Sequence, residues 1–449
     1  MLVNLSRLPW YLRLVHHVDM STNENVRVPT VARIEGDTIV ELVLDPIKKN
    51  TALVVSRFKG LWNFELELKL ATGELLVPYS GRNNLIANRC VLLPAHPDDY
   101  GSKSELLADI EAFLHRYVDL TPVFEKIAAH YVLLTWVHDA FNELPYLRLR
   151  GDYGTGKTRG LLAIGSPCYR PFFASGASTT SPIFHTLDRL GGTLVIDEAD
   201  FRFSDAASDI VKVLNNGNVK GLPVLRTMQN RDKEFNPRAF KVFGPKILAM
   251  RGSYDDPALE SRFLTEEMGL RPLRPDISIP LPDQMEEEAL ALRNRLLHYR
   301  LCHLFEIKPD TSLLSPQLEA RTNQIALPLL SLMDDPDLRA AVVQRLQLEQ
   351  EERQARRRDS VEGKVLGVVI ELTAKKWPVS VGSVASQFNQ RHGPDMGWIV
   401  SEKWIGNILR NRLRLTTQKS KGVYIVASEE KSKVATLAAR YNFNMPNAA

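Results

Sequence analysis

Residues 146–158 read YLRLRGDYGTGKT, and few stretches restrict a backbone so tightly. YLRLR reads as a short strand. It runs straight into Gly151, four residues, Gly156, Lys157 and Thr158, the spacing of a loop that wraps phosphate groups. Its glycines, including Gly154 beside Thr155, let backbone N–H groups close around an anion and tolerate positive φ. A helix starting near Lys157 points its positive dipole end at the same place. Lys157 is suited to reach the β- and γ-phosphates of a nucleotide, and Thr158 to ligate Mg²⁺. Such a loop needs a layered α/β setting, and residues 121–270 alternate helix and strand patterns as that requires.

The second half of such a site is a buried strand ending in acid. GGTLVIDEAD, residues 191–200, supplies one. Leu194, Val195 and Ile196 form an apolar core strand. Asp197 at its end is placed to hold Mg²⁺, and Glu198 to orient or deprotonate a water, which favours hydrolysis over transfer to a bound acceptor. Asp200 fits a helix-capping acid better than a site residue.

Beyond the acids, LPVLRTM (222–228) and RAFKVF (238–243) read as two strands around the polar turn QNRDKEFNP. The tip of this hairpin carries Arg231 and Lys233. It is either a surface excursion or a finger that grips nucleic-acid phosphates. PKILAM (245–250) is a further strand, with Arg251 and Ser253 as candidate polar sensors at its end. DDPALESRF (255–263) follows and carries Arg262.

The C-terminal part reads as three helices and a ribbon, a winged helix-turn-helix. The helices are SVEGKVLGVVIELTAKK, then SVGSVASQFNQRHG (380–393) ended by Gly393, then SEKWIGNILRNRL (401–413) capped by Ser401. Residues 360–426 hold ten Lys/Arg against four Asp/Glu, a net of +6 that exceeds the +4 of the whole 449-residue chain. Lys403, Arg410 and Arg412 on the third helix, with Lys419 and Lys421 on the wing, are candidates to meet DNA phosphates. The alternative use of such a unit is subunit packing.

Composition sets the remaining limits. A chain of this length holds two to four domains. We divide it into a β-rich domain (1–120), an α/β ATPase core (121–275), a helical lid and linker (276–358) and the basic unit with its tail (359–449). The charge run LEQEERQARRRDS (348–360) reads as a solvated helix or linker. Cys90, Cys168 and Cys302 are too far apart for a zinc ribbon or disulfide framework. HPDDY (96–100) reads as a loop rather than a metal site. Without an apolar run of about 20 residues the chain has no membrane span, and we expect a cytoplasmic, nucleoid-associated protein.

Taken in order, the phosphate loop, acid pair, hairpin, strand and SRF arginine resemble an AAA+ ATPase. The resemblance is to the helicase clade of minichromosome-maintenance proteins and superfamily 3 viral helicases, and more narrowly to replication ATPases of phages and mobile genetic elements. It covers about residues 125–340. It implies an AAA+ P-loop NTPase core with a helical lid, ATP and Mg²⁺ as cofactors, a homo-hexameric ring, single-stranded or forked DNA as partner, and a primase or polymerase alongside. It also implies that Arg262 reaches across a subunit interface to the neighbour's γ-phosphate, where an always-charged guanidinium stabilises the transferring phosphoryl group. In the lid, SPQLEARTNQI (315–325) reads as a helix begun by Ser-Pro. On it Arg321 is implied as a second, nucleotide-binding sensor, with Arg293 and Arg295 as competitors. The family has Asn or Thr at the first sensor. Here the position falls on Arg251, Gly252 or Ser253. Three rival readings stand beside these: a structural salt bridge from Arg262 to Glu260 or Asp256, a non-unwinding initiator or loader, and a nucleotide-switched regulator.

Overall fold

The computed structural model describes residues 26–176, 178–199, 205–229, 235–254 and 256–443. The N-terminal part forms two sheets. Strands β1 (Arg27–Thr30), β6 (Leu68–Lys69) and β7 (Leu75–Pro78) make one, in the order β1-β7-β6. Strands β2 (Ala32–Glu35), β3 (Thr38–Leu44), β4 (Thr51–Phe58) and β5 (Leu61–Glu65) make an antiparallel sheet in sequence order. The run TIVELVL of β3 is buried on both faces. Ile39 and Val43 join the helical core, while Val40 and Leu42 join the apolar layer on the other side. Glu41 between them is 2% exposed, and its burial is compensated by the Tyr169 hydroxyl (2.7 Å) and Arg300 Nε (2.7 Å). The core is therefore continuous across residue 120.

Helix α1 (Lys103–Tyr117) is started by a reciprocal capping box between Ser102 and Glu105. Helix α2 (Pro122–Trp136) is buried almost all round, with proline in its first turn. Five parallel strands then build the central sheet: β8 (Tyr146–Arg150), β9 (Phe172–Ser175), β10 (Leu194–Asp197), β13 (Lys246–Met250) and β14 (Phe263–Glu267), ordered β14-β8-β13-β10-β9. Leu194, Val195 and Ile196 are at most 1% exposed, each contributing about 1.5–3 kcal/mol through burial. Helices α3 (Lys157–Gly165), α4 (Thr180–Leu190) and α5 (Asp205–Asn216) connect the strands.

Strands β11 (Val224–Gln229) and β12 (Phe235–Phe240) pair in antiparallel register from Val224↔Phe240 to Gln229↔Phe235. The hairpin arms thus run closer to the tip than the expected 222–228 and 238–243. Pro237 sits inside β12, which a two-stranded ribbon tolerates because each strand has a free edge.

Helices α6 (Gln284–His303), α7 (Ala320–Leu330) and α8 (Pro336–Asp359) follow. Helix α7 begins at Ala320, not at the Ser315-Pro316 pair. The charge run, expected as a solvated helix or linker, is helical and none of its residues is fully buried. It is the second half of α8, laid along the β14 edge. Arg345 pairs with Glu266 (2.9 Å) and donates to the Thr265 carbonyl, Glu349 is 18% exposed, and Arg356 donates to Ser253 Oγ (3.3 Å).

The C-terminal unit comprises α9 (Val361–Lys375), α10 (Val381–Met396), α11 (Glu402–Asn407) continued by a wider turn to Arg412, and α12 (Lys431–Arg440). Strands β15 (Val379–Ser380), β16 (Thr417–Ser420) and β17 (Val423–Val426) form an antiparallel sheet ordered β15-β17-β16. Helix α10 passes through Gly393 and stops at Gly397, whose φ of 68° makes it the left-handed cap. Ser401 caps α11 through Trp404 N (3.2 Å). Among the described residues no helix is long and apolar enough to cross a membrane.

Candidate active site

The loop between β8 and α3 has the conformation its glycines allow. Gly154 has φ 70° and Gly156 φ 84°, the latter capping α3. A Cβ on Gly151 would lie 2.6 Å from the Met268 carbonyl, so only glycine fits where the loop crosses the end of β14. Lys157 Nζ donates to the carbonyls of Gly151 (2.7 Å) and Asp152 (2.5 Å) and thus lies across its own loop.

Thr158 and Asp197 meet. The Thr158 hydroxyl donates to Asp197 Oδ2 at 2.7 Å, although β13 lies between their two strands. Two hard oxygens at this separation, at the C-terminal ends of a parallel sheet, are a donor set that suits Mg²⁺. Glu198 is exposed and carries φ 55°, unusual for a residue with a side chain. Its N–H donates to Asp197 Oδ1 (2.9 Å). Gly176, at the end of the adjacent β9, approaches so closely that a Cβ there would sit 2.4 Å from the Glu198 carbonyl. Asp200 lies outside the described residues.

Between the loop and the acids comes the end of β13. Met250 accepts from Gly151 N (3.2 Å) and Ala249 from Ala199 N (2.8 Å), so the next residue, Arg251, lies between the two halves of the site. Its guanidinium stacks on Tyr153 of the loop, 3.6 Å from the ring centroid, and contacts the phenol oxygen. The Ser253 hydroxyl accepts from Arg150 (2.6 Å) and Arg356 (3.3 Å) and is turned away from this gap.

A cavity of about 800 Å³ opens beside Gly154, Thr155 and Gly156. Arg159 and Leu162 of α3, Met268–Arg271 after β14, Thr121 and Arg345 line it. Arg345 and the Thr121 N–H (2.7 Å) both bind Glu266, while Arg271 pairs with Asp119 (2.5 Å). Sequence reasoning misses these residues because no local motif marks them. Only Gly269 (φ 81°), packed against Thr155, gives a signal.

Arg262 is not a projecting finger in this conformation. It is 7% exposed and donates to Asn218 Oδ1 (2.9 Å), Asn215 Oδ1 (2.6 Å), Asn215 O (3.3 Å) and Ala258 O (2.9 Å). Neither Glu260 nor Asp256 pairs with it. Glu260 holds Arg148 instead (2.5 and 2.9 Å). Burial, then the charge of Arg321, push Arg262 below its ordinary pKa. Arg262 precedes β14, at the opposite end of the sheet from the phosphate loop, about 20 Å away at a strand rise of about 3.3 Å per residue. Arg321 does not line the loop's cavity either. It is exposed and donates to the same Ala258 carbonyl (3.1 Å). Its competitors are also engaged: Arg293 is buried on Ser166 O (2.7 Å), and Arg295 pairs with Asp109.

Arg231 and Lys233 lie outside the described residues. In the C-terminal unit Lys403, Lys419 and Lys421 are exposed, Arg410 donates to Thr417 Oγ1 (3.0 Å), and Arg412 lies 3.8 Å from Glu362. Among the described residues no group of three or more His, Cys, Asp or Glu is placed to hold a metal.

No protein-family model and no curated protein matches the chain. Among solved structures it is similar to the SCCmec type IV Cch active helicase, 13% identical over 91% of this chain and 96% of that one, with a TM-score of 0.38. It is also similar to the apo C-terminal region of NrS-1, 13% identical over 87% of this chain and 96% of that one, with a TM-score of 0.38. At these TM-scores the likenesses carry no argument about the site.

Proposed function

We propose that the chain is an ATP-hydrolysing motor that assembles as a ring, a homo-hexamer, and translocates on and unwinds DNA, as a replication helicase of a mobile genetic element. The observation that carries the reading is the 2.7 Å contact of Thr158 with Asp197 beside a glycine loop. It brings the end of the glycine loop and the acid of β10 together, as a nucleotide-hydrolysing centre would require. Thr158 and Asp197 would hold a Mg²⁺ ion, which when bound would supply positive charge against the developing charge on the phosphates. The loop's N–H groups and the start of α3 receive the phosphates, and Lys157 exchanges its carbonyl partners for the terminal phosphates. Glu198 orients the attacking water. Arg251 takes the sensor role between loop and acids. Thr121, Arg159, Leu162 and the 268–271 segment hold the base and sugar.

Arg262 and Arg321 belong to the far end of the edge strand, beyond reach of their own loop. In our reading they serve the neighbour's nucleotide, and ring assembly draws Arg262 off its asparagine partners. Support for DNA comes from the net +6 over residues 360–426, with Lys403, Arg410, Arg412, Lys419 and Lys421 facing outward as a winged helix, and from the basic tip residues Arg231 and Lys233 of the hairpin. We place the protein in the cytoplasm at the nucleoid, alongside a primase or polymerase.

The test is strand separation of a forked duplex by wild type and Lys157→Ala. Wild type is expected to unwind and the variant to bind DNA without unwinding. A wild type that hydrolyses ATP yet moves no strand would replace the helicase reading with that of a loader.

A further inference from the structure

A second cavity, of about 710 Å³, lies away from the phosphate loop. Its walls are the β1–β2 segment Val28–Arg33, the Leu190–Gly192 turn after α4, and both roots of the β11–β12 hairpin, 220–223 and 239–243. The turns before β10 and β13 line it, so it opens at the N-terminal end of the central sheet, opposite the nucleotide site.

Its charge is one-sided. Arg33, Arg170, Arg189, Lys220 and Lys241 line it against Asp139 and Asp188. Both acids are already engaged. Asp139 pairs with the buried Arg300 (2.5 Å), and Asp188 accepts from Arg238 (2.9 Å) and Lys241 N (3.0 Å). Two of the cations are fixed parts of the wall: Arg170 donates to Leu190 O (2.6 Å), and Lys220 lies on the Asp139 carbonyl and over Phe243. Arg170 is 7% exposed and its Nε, fully buried, has no hydrogen-bond partner among the described residues. Arg189 and Lys241 are exposed and make no ion pair among the described residues; Arg189 only stacks on Tyr79 (5.4 Å). A smaller depression shares Arg189 and Leu190 with the cavity and adds His185 and Arg238. The positive surface is therefore elongated. It fits a row of anions better than one.

We propose that this groove holds consecutive phosphates of a single DNA strand, with Arg189 and Lys241 as its two mobile contacts. The inference rests on the reading of the chain as a DNA motor. It adds a strand path between the N-terminal sheet and the root of the hairpin, distinct from the hairpin tip and from the C-terminal unit. A strand bound there would contact both sides of the groove, so hairpin movement would be felt by the strand at its root.

The experiment is fluorescence anisotropy of a labelled oligothymidylate of about 20 nucleotides across a salt series, with full-length wild type and Arg189→Gln, Lys241→Gln and the double variant. Each lost phosphate contact on a single strand lowers the slope of log K against log salt by about 0.7, which is about fivefold in affinity at 0.1 M salt. The double variant is expected to lose about 1.4 in slope and about 25-fold in affinity, with DNA-free ATP hydrolysis unchanged. A double variant that keeps the wild-type slope overturns the groove and leaves the motor reading intact. A wild type that binds no oligothymidylate sinks both. Loss of DNA-free ATP hydrolysis would assign the two cations to the packing of the fold and would also overturn the proposal.

Discussion

Arg262→Ala separates a structural role from a catalytic one. The guanidinium gives four hydrogen bonds to Asn215, Asn218 and Ala258, and is 7% exposed. Among the described residues no carboxylate is ion-paired with it, so its stability contribution comes chiefly from these bonds. Leaving a buried acceptor without its donor costs about 1–3 kcal/mol, and such costs are not additive. For three residues that lose a shared donor we expect about 3–5 kcal/mol of destabilisation. Urea unfolding followed by tryptophan fluorescence reads this directly, as a lower midpoint with an unchanged slope. Arg262→Lys keeps the charge but not the fork, and is expected to fall between the two. An Arg262→Ala midpoint equal to wild type would refute the bonding described here. The trans role is read separately, at a temperature where the variants are folded. Arg262→Lys subunits mixed with Lys157→Ala subunits form some interfaces with both intact halves, so hydrolysis should rise above that of either alone. Mixed rings that recover nothing would leave the arginine a purely structural residue.

Three further perturbations act on other parts of the molecule. Gly176→Ala drives a methyl group to 2.4 Å from the Glu198 carbonyl; steady-state ATP hydrolysis should lose at least about tenfold in kcat with little change in KM, and an unaltered kcat would show that the Glu198 backbone has no bearing on the reaction. Arg251→Ala should cost about 100-fold in kcat, as loss of a preorganised charge donor does. Ser253→Ala, whose hydroxyl among the described residues accepts from Arg150 and Arg356, should cost far less; equal losses in single-turnover assays would contradict the division of roles. Burial pushes His130 down to about 4. The unfolded chain takes up a proton near pH 6.5 while the folded one does not, so stability is present above pH 6.5 and falls as pH drops toward 4, by up to about 3 kcal/mol. His130→Gln should flatten thermal stability between pH 7 and 5, and a variant with the wild-type slope would assign the acid loss elsewhere.

What could be read from the sequence was the part encoded over short distances. The glycine loop with Lys157 and Thr158 is fixed by backbone conformations that a few adjacent residues dictate, and the acid strand by an apolar run that only a sheet interior accommodates. Their meeting at 2.7 Å follows once both strands share one parallel sheet. Arg262 shows the limit. Its asparagine acceptors lie 44 and 47 residues earlier, at and just beyond the end of α5, and nothing near SRF signals them. Arg321 shows the same limit: its position on a helix is local, but the carbonyl it meets is 63 residues away. The cavity beside the loop is assembled from four separate segments, so only its glycine leaves a mark.

The second half of α8 shows what a charged helix can cover. A run of Glu, Gln and Arg looks solvated because its charges outnumber its apolar residues. Yet an edge strand such as β14 presents unpaired carbonyls and N–H groups that must be covered, and charged side chains with long apolar stems can do this. Arg345 takes the Thr265 carbonyl and the Glu266 carboxylate, and Arg356, three turns further on, takes Ser253, two residues after Arg251. One helix therefore touches the wall of the cavity beside the phosphate loop and a residue two positions from Arg251. It ends at Ser360, which caps its carbonyls and at the same time accepts from Gly363 N (3.1 Å) to start α9. No flexible linker separates the phosphate-loop crevice from the basic C-terminal unit among the described residues. Any displacement of Arg345 or Arg356 must be carried by α8 as a body or absorbed at that single shared cap.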